Sequence, residues 1–210
     1  MLFFERGMQS FNLAGVNFFF SILACHSLAI PHIEARDLRG INPERLLNAG
    51  IKGVVFDKDN TLTEPYKLQI VPEIAGAVEK FKRTFGRNVI ILSNSAGTLD
   101  DYNSEKAEGI EKALGIHVLR HEQKKPGRIP ELEDYFGCKL LELVIIGDRY
   151  FTDVAYGNRH GMFTAHVQPF TNRGGNFAVR AIRPLETELV NLWRNKRAIA
   201  PEHAAFGIYF

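Results

Sequence analysis

The feature that most constrains the fold of this chain is an alternation of short strand-like runs and longer amphipathic stretches, which begins at Ile51. Strands are predicted at residues 53–56, 88–93, 117–119, 143–147 and 163–167, where the runs are short and apolar. Helices are predicted at residues 71–85, 98–114, 128–136, 153–160 and 184–194. The repetition predicts an α/β fold with a doubly wound parallel sheet, in which ligands bind beyond the carboxyl ends of the strands.

The length, net charge and cysteines of the chain exclude several other classes of protein. The 210 residues fit one α/β domain with modest extensions. We divide them into an N-terminal segment (1–35), a central domain (36–175) and a C-terminal helix and tail (176–210). A net charge of +2 is too small to predict a nucleic-acid partner. Cys25 and Cys138 lie far apart and outside any metal-ligand spacing, so neither a disulfide scaffold nor a zinc module is expected.

The N-terminal segment is unusually apolar, with six phenylalanines in its first 20 residues and Arg6 as its single Lys or Arg. Ser10, Asn17 and Ser21 project onto one helical face and leave an apolar face opposite, which predicts a helix lying in a membrane interface. Two alternatives stay open: a helix packed on the domain or in a homo-oligomer, and a single membrane pass, which the polar residues and Pro31 disfavour. A signal peptide is disfavoured because the segment lacks a basic start.

Polar side chains with related chemistry follow the predicted strands or lie in the loops between them. They are Asp57 and Asp59 after the first strand, Ser93 and Asn94 after the second, Lys124 and Lys125 in a later loop, and Asp148 and Asp153 after the fourth strand. Parallel strands end at one edge of a sheet, so these groups are expected to converge there. Clustered carboxylates repel one another unless a cation lies among them, and an all-oxygen site favours Mg²⁺. Each aspartate alone would also suit a turn or helix cap, but the four motifs together predict a Mg²⁺ phosphate site.

The four motifs, VVFDKDNTLT, LSNSAG, KKPG and GDRYFTDVAYGNRHG, resemble those of the haloacid dehalogenase superfamily of aspartate-nucleophile phosphatases. The resemblance covers about residues 50–170. Within the superfamily, the motifs are most similar to those of the eukaryotic mitochondrial phosphatidylglycerophosphate phosphatases and their bacterial relatives. This resemblance implies a phosphatase that works through an aspartyl-phosphate intermediate.

The resemblance also implies a role for each catalytic residue. Asp57 would attack phosphorus, and Asp59 would protonate the leaving alkoxide and then activate water. Ser93 would hold a phosphoryl oxygen, and Lys125 would offset the charge of the transition state. Lys124 remains the alternative to Lys125 as the residue that offsets this charge.

The implied metal ligands come from the same motifs. Mg²⁺ would be held by Asp57, the backbone carbonyl of Asp59 and Asp148. Asp153 is expected either to reach the metal through water or to orient Lys125.

Contacts to the rest of the substrate are expected from polar and basic side chains near this edge. The substrate-binding candidates are Asn94, Lys58, Lys124 and Arg149, with Arg128, Arg159, His160 and Arg173 as further cations. Lipid contact is expected from the C-terminal run Arg180, Arg183, Trp193, Arg194, Lys196 and Arg197, with Trp193 at the interface. In the same helix, Leu185, Leu189 and Leu192 are expected to pack on the sheet.

Neither gap between the early motifs is long enough to hold a cap domain, so the site is expected to be open to a phosphate carried on something large. The apolar N-terminal segment favours a lipid. Together with these features, the resemblance implies that phosphatidylglycerophosphate would be dephosphorylated to phosphatidylglycerol, in cardiolipin biosynthesis. By resemblance, the enzyme would be peripheral on the matrix side of the mitochondrial inner membrane. The alternatives are a phosphatase of protein or nucleotide phosphates and a non-hydrolytic phospho-accepting switch.

Overall fold

The computed structural model describes residues 13–171 and 177–210. The start of the N-terminal segment and the candidate Arg173 lie outside the described residues, as does the side chain of Arg180. The strands are β1 (Ile33–Ala35), β2 (Gly53–Phe56), β3 (Val89–Ile91), β4 (His117–Val118), β5 (Leu143–Gly147) and β6 (Phe163–Val167). The α-helices are α1 (Leu13–Ala24), α2 (Pro43–Asn48), α3 (Ala75–Phe85), α4 (Glu105–Leu114), α5 (Glu131–Phe136), α6 (Ala155–Arg159), α7 (Phe177–Asn195) and α8 (Phe206–Tyr209).

The six strands form one sheet in the order β1-β6-β5-β2-β3-β4, and every neighbouring pair is parallel. The prediction of an α/β fold with a parallel sheet is therefore confirmed. After β2, the chain adds β3 and β4 toward one edge of the sheet. It then adds β5 and β6 on the other side of β2. The point where the order reverses lies between β2 and β5, which is where such sheets bind ligands.

The central strands are buried on both sides because they are continuous apolar runs. Successive side chains of β2 alternate between two cores: Val54 and Phe56 point into one, and Val55 points into the other. The first core also contains Phe81 of α3, and the second contains Leu132 of α5. Helices therefore cover both faces of the sheet and leave the carboxyl ends of the strands as the place for polar groups.

A third buried cluster joins α1 to α7. Phe18 and Ile22 of α1 lie in it together with Val190 and Trp193 of α7. Trp193 is 3% exposed and stacks on the ring of His26, with 4.5 Å between the ring centroids. The prediction that Trp193 lies at a membrane interface was therefore wrong, because the rings of His26 and Phe151 stack on it.

The outer face of α1 is apolar and exposed. Phe19, Phe20 and Leu23 present their side chains there, although Phe19 also contacts the ring of Phe151. Among the described residues, none of the helices combines the length and apolar content required to cross a membrane.

The α7 helix differs from its prediction in length and in buried face. It begins well before Pro184, which lies inside it rather than at its first turn. Leu185 and Leu192 are exposed, and the side chains that α7 buries within its described part, residues 182–195, are Glu186, Val190 and Trp193. Apolar residues occur on more than one face of this helix, so its partners in space decide which face is buried.

The elements that the sequence pattern did not predict are short or lie in the outer segments. The strand β1 has three residues and lies within the segment that we set apart as residues 1–35, yet it pairs with β6. The helices α2 and α8 have six and four residues. Elements of this length carry too few side chains for a periodic pattern.

Candidate active site

The ends of three neighbouring strands bring the polar motifs of the sequence to one place. Phe56 at the end of β2 pairs with Ile91 of β3 on one side and with Ile146 of β5 on the other. The backbone N–H of Asp57 donates to the carbonyl of Ile146 at 2.9 Å, which extends the pairing by one residue. The loops that follow these strands therefore start side by side.

Three aspartates form a compact cluster at this edge. Asp57, Asp148 and Asp153 each offer a carboxylate oxygen, and these oxygens all lie within 4.8 Å of one another. Asp153 reaches the cluster from a π-helical turn, Tyr150–Val154, that precedes α6. Gly147 makes this approach possible, since a Cβ at that position would lie 2.4 Å from the Cγ of Asp153.

The structure brings Lys125, and not Lys124, to this cluster. The Nζ of Lys125 donates to Asp57 Oδ1 at 3.1 Å and to Asp153 Oδ1 at 2.5 Å, and its side chain is buried. Lys124 instead forms an exposed ion pair with Asp100. Asp153 was expected either to reach the metal through water or to orient Lys125. In the structure it holds Lys125, and it also belongs to the carboxylate cluster.

Asn94 positions the loop that carries the lysine. Its Oδ1 accepts from the backbone N–H of Lys125 at 2.9 Å, and its Nδ2 donates to the carbonyl of the same residue at 3.2 Å. Both ends of the amide are used in this way, so the structure gives Asn94 a positioning role where the sequence predicted a substrate contact.

His121 adds a second link that sequence reasoning missed. Its Nε2 lies 3.0 Å from the carbonyl oxygen of Ser93, and its Nδ1 lies 2.6 Å from that of Gln123. The imidazole therefore bridges the loop after β3 and the loop before Lys125. The only available signal in the sequence was its position four residues before that lysine.

Asp59 lies at the mouth of the site and is partly exposed. It forms an ion pair with Lys58, and the backbone N–H of Tyr66 donates to its Oδ1 at 3.1 Å. Lys58 is buried and also donates to Thr63 Oγ1 and to the carbonyl of Lys67, each at 3.1 Å. The structure therefore uses Lys58 to hold Asp59, and a contact of Lys58 with substrate stays a prediction.

Ser93 follows β3 and is buried. Its Oγ accepts from the backbone N–H of Ser95 at 3.2 Å, and the two serine hydroxyls are also 3.2 Å apart. The loop is therefore tightly turned and holds two hydroxyls close together after the end of β3.

Burial and like charge dominate the electrostatics of the cluster. Burial raises the pKa of Asp57 to about 6, the ammonium of Lys125 opposes this rise, and Asp153 and Asp59 add to it. Burial also raises the pKa of Asp148 well above its usual range, with Asp57 adding to the effect and Arg183 opposing it. Burial would lower the pKa of Lys125, but the charges of Asp153 and Asp57 outweigh burial and raise it.

These properties fit a hard divalent cation. The three carboxylates of the cluster carry more negative charge than Lys125 and Arg183 together neutralise. Asp148 Oδ2 is buried and contacts Arg183 without hydrogen-bond geometry, so no well-formed hydrogen bond satisfies it. An oxygen-only donor set of this kind suits Mg²⁺, whose charge would favour the ionised carboxylates.

Helix α7 contributes two arginine–carboxylate contacts beside the cluster. Arg183 forms an ion pair with Asp148, a contact that lacks hydrogen-bond geometry. Arg149 Nη2 donates to Glu186 Oε1 at 2.5 Å. Arg149, predicted to contact substrate, is thus engaged with α7, and Arg183, predicted to meet lipid, reaches a predicted metal ligand instead.

The other basic candidates have partners away from the cluster. Arg128 forms an exposed ion pair with Glu133, and Arg159 lies over the ring of Phe18 at 5.0 Å. His160 packs beside the ring of Tyr156. Among the residues that the structure describes, the charges that act on the cluster therefore come from the aspartates, Lys125, Arg183 and the neighbouring Arg149.

Comparisons with known proteins point to one activity. A family model described as "Mitochondrial PGP phosphatase" matches residues 13–169. The chain is 46% identical over 203 residues to phosphatidylglycerophosphate phosphatase 1, chloroplastic, of Chlamydomonas reinhardtii, covering 95% of this chain and 75% of that protein. It is 42% identical over 199 residues to phosphatidylglycerophosphate phosphatase 1, chloroplastic/mitochondrial, of Arabidopsis thaliana, covering 93% and 57%. It is also 28% identical over 172 residues to the probable phosphatase YqeG of Bacillus subtilis, covering 80% and 92%.

Proposed function

Because the chain belongs to the mitochondrial PGP phosphatase family, we propose that it hydrolyses the terminal phosphomonoester of phosphatidylglycerophosphate and releases phosphatidylglycerol. Family membership confirms the resemblance inferred from the motifs, and the chain is a phosphatase. The observation that carries the proposed chemistry is the buried contact of Lys125 with both Asp57 and Asp153 beside Asp148.

The proposed reaction has two steps at one phosphorus atom. An oxygen of Asp57 attacks phosphorus while the bond to the leaving alkoxide breaks, and the carboxyl of Asp59 gives that alkoxide its proton. Asp59 then takes a proton from water as the water oxygen attacks the aspartyl-phosphate. Inorganic phosphate leaves and the carboxylate of Asp57 is restored.

Other side chains stabilise the charge that develops on the phosphoryl oxygens. Lys125 is held by Asp153 within reach of Asp57, so its ammonium lies where an equatorial oxygen would develop charge. Ser93 offers its hydroxyl at the neighbouring strand end. Mg²⁺ held by Asp57, Asp148 and the carbonyl of Asp59, with Asp153 nearby, would supply Lewis-acid stabilisation of the same charge.

The lipid substrate is supported by two observations on this chain. The segments that follow β2 and β3 before the next strand contain α3 and α4 and no separate cap domain. The exposed Phe19, Phe20 and Leu23 of α1 supply apolar side chains for a membrane interface. We therefore propose a peripheral enzyme whose open site faces lipid headgroups, on the matrix side of the mitochondrial inner membrane and in the pathway to cardiolipin.

A substrate panel tests the choice of lipid. Phosphate release is measured with Mg²⁺ on vesicles containing phosphatidylglycerophosphate, on a nucleoside monophosphate and on a phosphopeptide at equal phosphate concentration. We expect kcat/KM to be highest on the vesicles. Turnover of the nucleotide or the peptide with none on the vesicles would instead assign the enzyme to soluble phosphomonoesters.

A further inference from the structure

A trough of about 580 Å³ lies beside the carboxylate cluster, between the ends of β1, β5 and β6 and the helix α7. Its walls include Asp148, His166, Gln168, Arg183 and Glu186. It shares Asp148 with the cluster, so a substrate whose phosphate is bound at Asp57 has this trough next to it.

The buried polar atoms of the trough are paired as ions but lack well-formed hydrogen bonds. Asp148 Oδ2 and Arg183 Nη1 contact each other, and His166 Nδ1 lies 3.5 Å from Glu34 Oε1, yet none of the three has a partner in hydrogen-bond geometry. Buried polar atoms are normally hydrogen-bonded, and each one without such a bond costs free energy. A ligand that offers better-directed contacts would therefore compete with the contact between Asp148 and Arg183.

The acids of the trough have cations as partners, but one of these pairs differs from the others. The pairs are Glu34 with Arg194 at 2.8 Å, Glu186 with Arg149 at 2.5 Å, and Asp148 with Arg183. Glu188 stands exposed on the rim, where water screens it. Arg183 alone among these arginines depends on a carboxylate that the cluster needs for a cation.

A cation at the cluster would therefore release Arg183 from its partner. The charge of Asp148 would then be shared with the cation, and the guanidinium, whose side chain is 16% exposed, would carry a positive charge without a matching acid. A guanidinium presents a fork of N–H donors that fits the oxygens of a phosphate group.

We propose that Arg183 binds a phosphate oxygen of the substrate once the cluster holds its cation. The proposal rests on the proposed function for the identity of the lipid, but its chemistry requires only a phosphate group. Two sources offer one: the phosphoryl group that is transferred, and the phosphodiester that links the lipid to its glycerol headgroup.

Binding measurements on Arg183→Gln separate this role from a structural one. Without phosphate, Mg²⁺ should bind the variant several-fold more tightly, because a cation that competes for Asp148 is gone. With saturating Mg²⁺, the loss of a charged donor in Arg183→Gln should lower the affinity for the phosphate group that Arg183 binds by about tenfold or more. Arg183→Lys keeps the charge without the forked N–H donors, so its phosphate affinity should lie between those of the wild type and Arg183→Gln. Arg83→Gln, an exposed arginine on α3, is the matched control and should change neither value.

Activity on two substrates identifies which phosphate is bound. Weaker binding of inorganic phosphate, with equal losses of kcat/KM on p-nitrophenyl phosphate and on phosphatidylglycerophosphate vesicles, assigns Arg183 to the transferred phosphoryl group. Unchanged phosphate binding with a loss on the vesicles alone assigns it to the phosphodiester.

Two results would overturn the proposal. One is a variant in which phosphate binding and both activities match the wild type. The other is a variant in which Mg²⁺ binding weakens, which is the result of a merely structural role. If the wild-type enzyme leaves phosphatidylglycerophosphate intact, the proposed function fails, yet the inorganic phosphate and p-nitrophenyl phosphate measurements still test Arg183.

Discussion

Lys125 and Asp153 form a buried ion pair, 2.5 Å between Nζ and Oδ1, with side chains that are 1% and 2% exposed. Neither residue is the expected nucleophile, yet their contact fixes the ammonium 3.1 Å from Asp57. The pair joins a loop that follows β4 to a turn that follows β5, so the geometry at Asp57 depends on two distant parts of the chain.

Replacing Lys125 by Met should reduce kcat on phosphatidylglycerophosphate by about 100-fold or more, because the charge of the transition state loses its ammonium. Lys124→Met is the matched control, since its ammonium pairs with Asp100 at the surface. Steady-state kinetics on both variants measure the difference. Equal losses in the two variants would contradict the assignment of Lys125.

The contribution of Asp57 to the stability of the metal-free protein should fall as pH rises. Its folded-state pKa is raised from 3.8 to about 6, so its contribution is fully present below pH 3.8 and lost as pH passes through about 6. A shift of this size corresponds to about 3 kcal/mol. Burial lowers the pKa of His32 to about 4 and opposes this trend, so the contribution is measured by urea unfolding in EDTA as the difference between the wild type and Asp57→Asn.

Asp57→Asn provides the comparison for this pH dependence. Its neutral amide has no proton to lose, so above pH 6 the metal-free variant should be more stable than the wild type. Saturating Mg²⁺ should reverse the order, because the wild-type carboxylate binds the ion. A stability difference between the metal-free wild type and Asp57→Asn that stays constant over this pH range would contradict the account.

Asn94→Ala should lower kcat by about tenfold with little change in KM, because the loop that holds Lys125 loses both of its amide contacts. Asn88→Ala removes a similar contact, Nδ2 to the carbonyl of Lys52 at 3.0 Å, far from the cluster, and should leave kcat unchanged. A rise in KM alone for Asn94→Ala would favour the substrate contact that the sequence predicted.

Phe20→Glu should weaken binding to vesicles that contain anionic lipid, because it places a charge on the exposed face of α1. Turnover of p-nitrophenyl phosphate should be unaffected, since the site itself is unchanged. Leu47→Glu, on the exposed side of α2, is the control. Vesicle flotation measures binding, and equal flotation of Phe20→Glu and the wild type would exclude this face as the anchor.

Much of the site could be predicted because its residues follow strands with strong local signals. The apolar run before Asp57 and the run before Asp148 are the buried central strands β2 and β5, and both were predicted with the observed bounds. The choice of Lys125 over Lys124 came from the resemblance and not from the local pattern, since adjacent side chains differ only in direction, and here Asn94 sets the loop that decides it.

The contacts that α7 makes could also not be predicted from the sequence. The partners of Arg149 and Arg183 lie 37 and 35 positions away along the chain, and no periodic pattern links such pairs. The burial of Trp193 likewise follows from contacts with His26 and Phe151, which lie far from it along the chain.

The most direct test of the account is phosphate release from vesicles containing phosphatidylglycerophosphate, measured for the wild type, Asp57→Asn and Asp134→Asn with Mg²⁺ and again after its removal with EDTA. Asp134 is an exposed aspartate of α5 and controls for the loss of a carboxylate. We predict release by the wild type and by Asp134→Asn only with Mg²⁺, and none by Asp57→Asn. Release that persists in Asp57→Asn at the wild-type rate would contradict the central claim that Asp57 is the nucleophile of a phosphatidylglycerophosphate phosphatase.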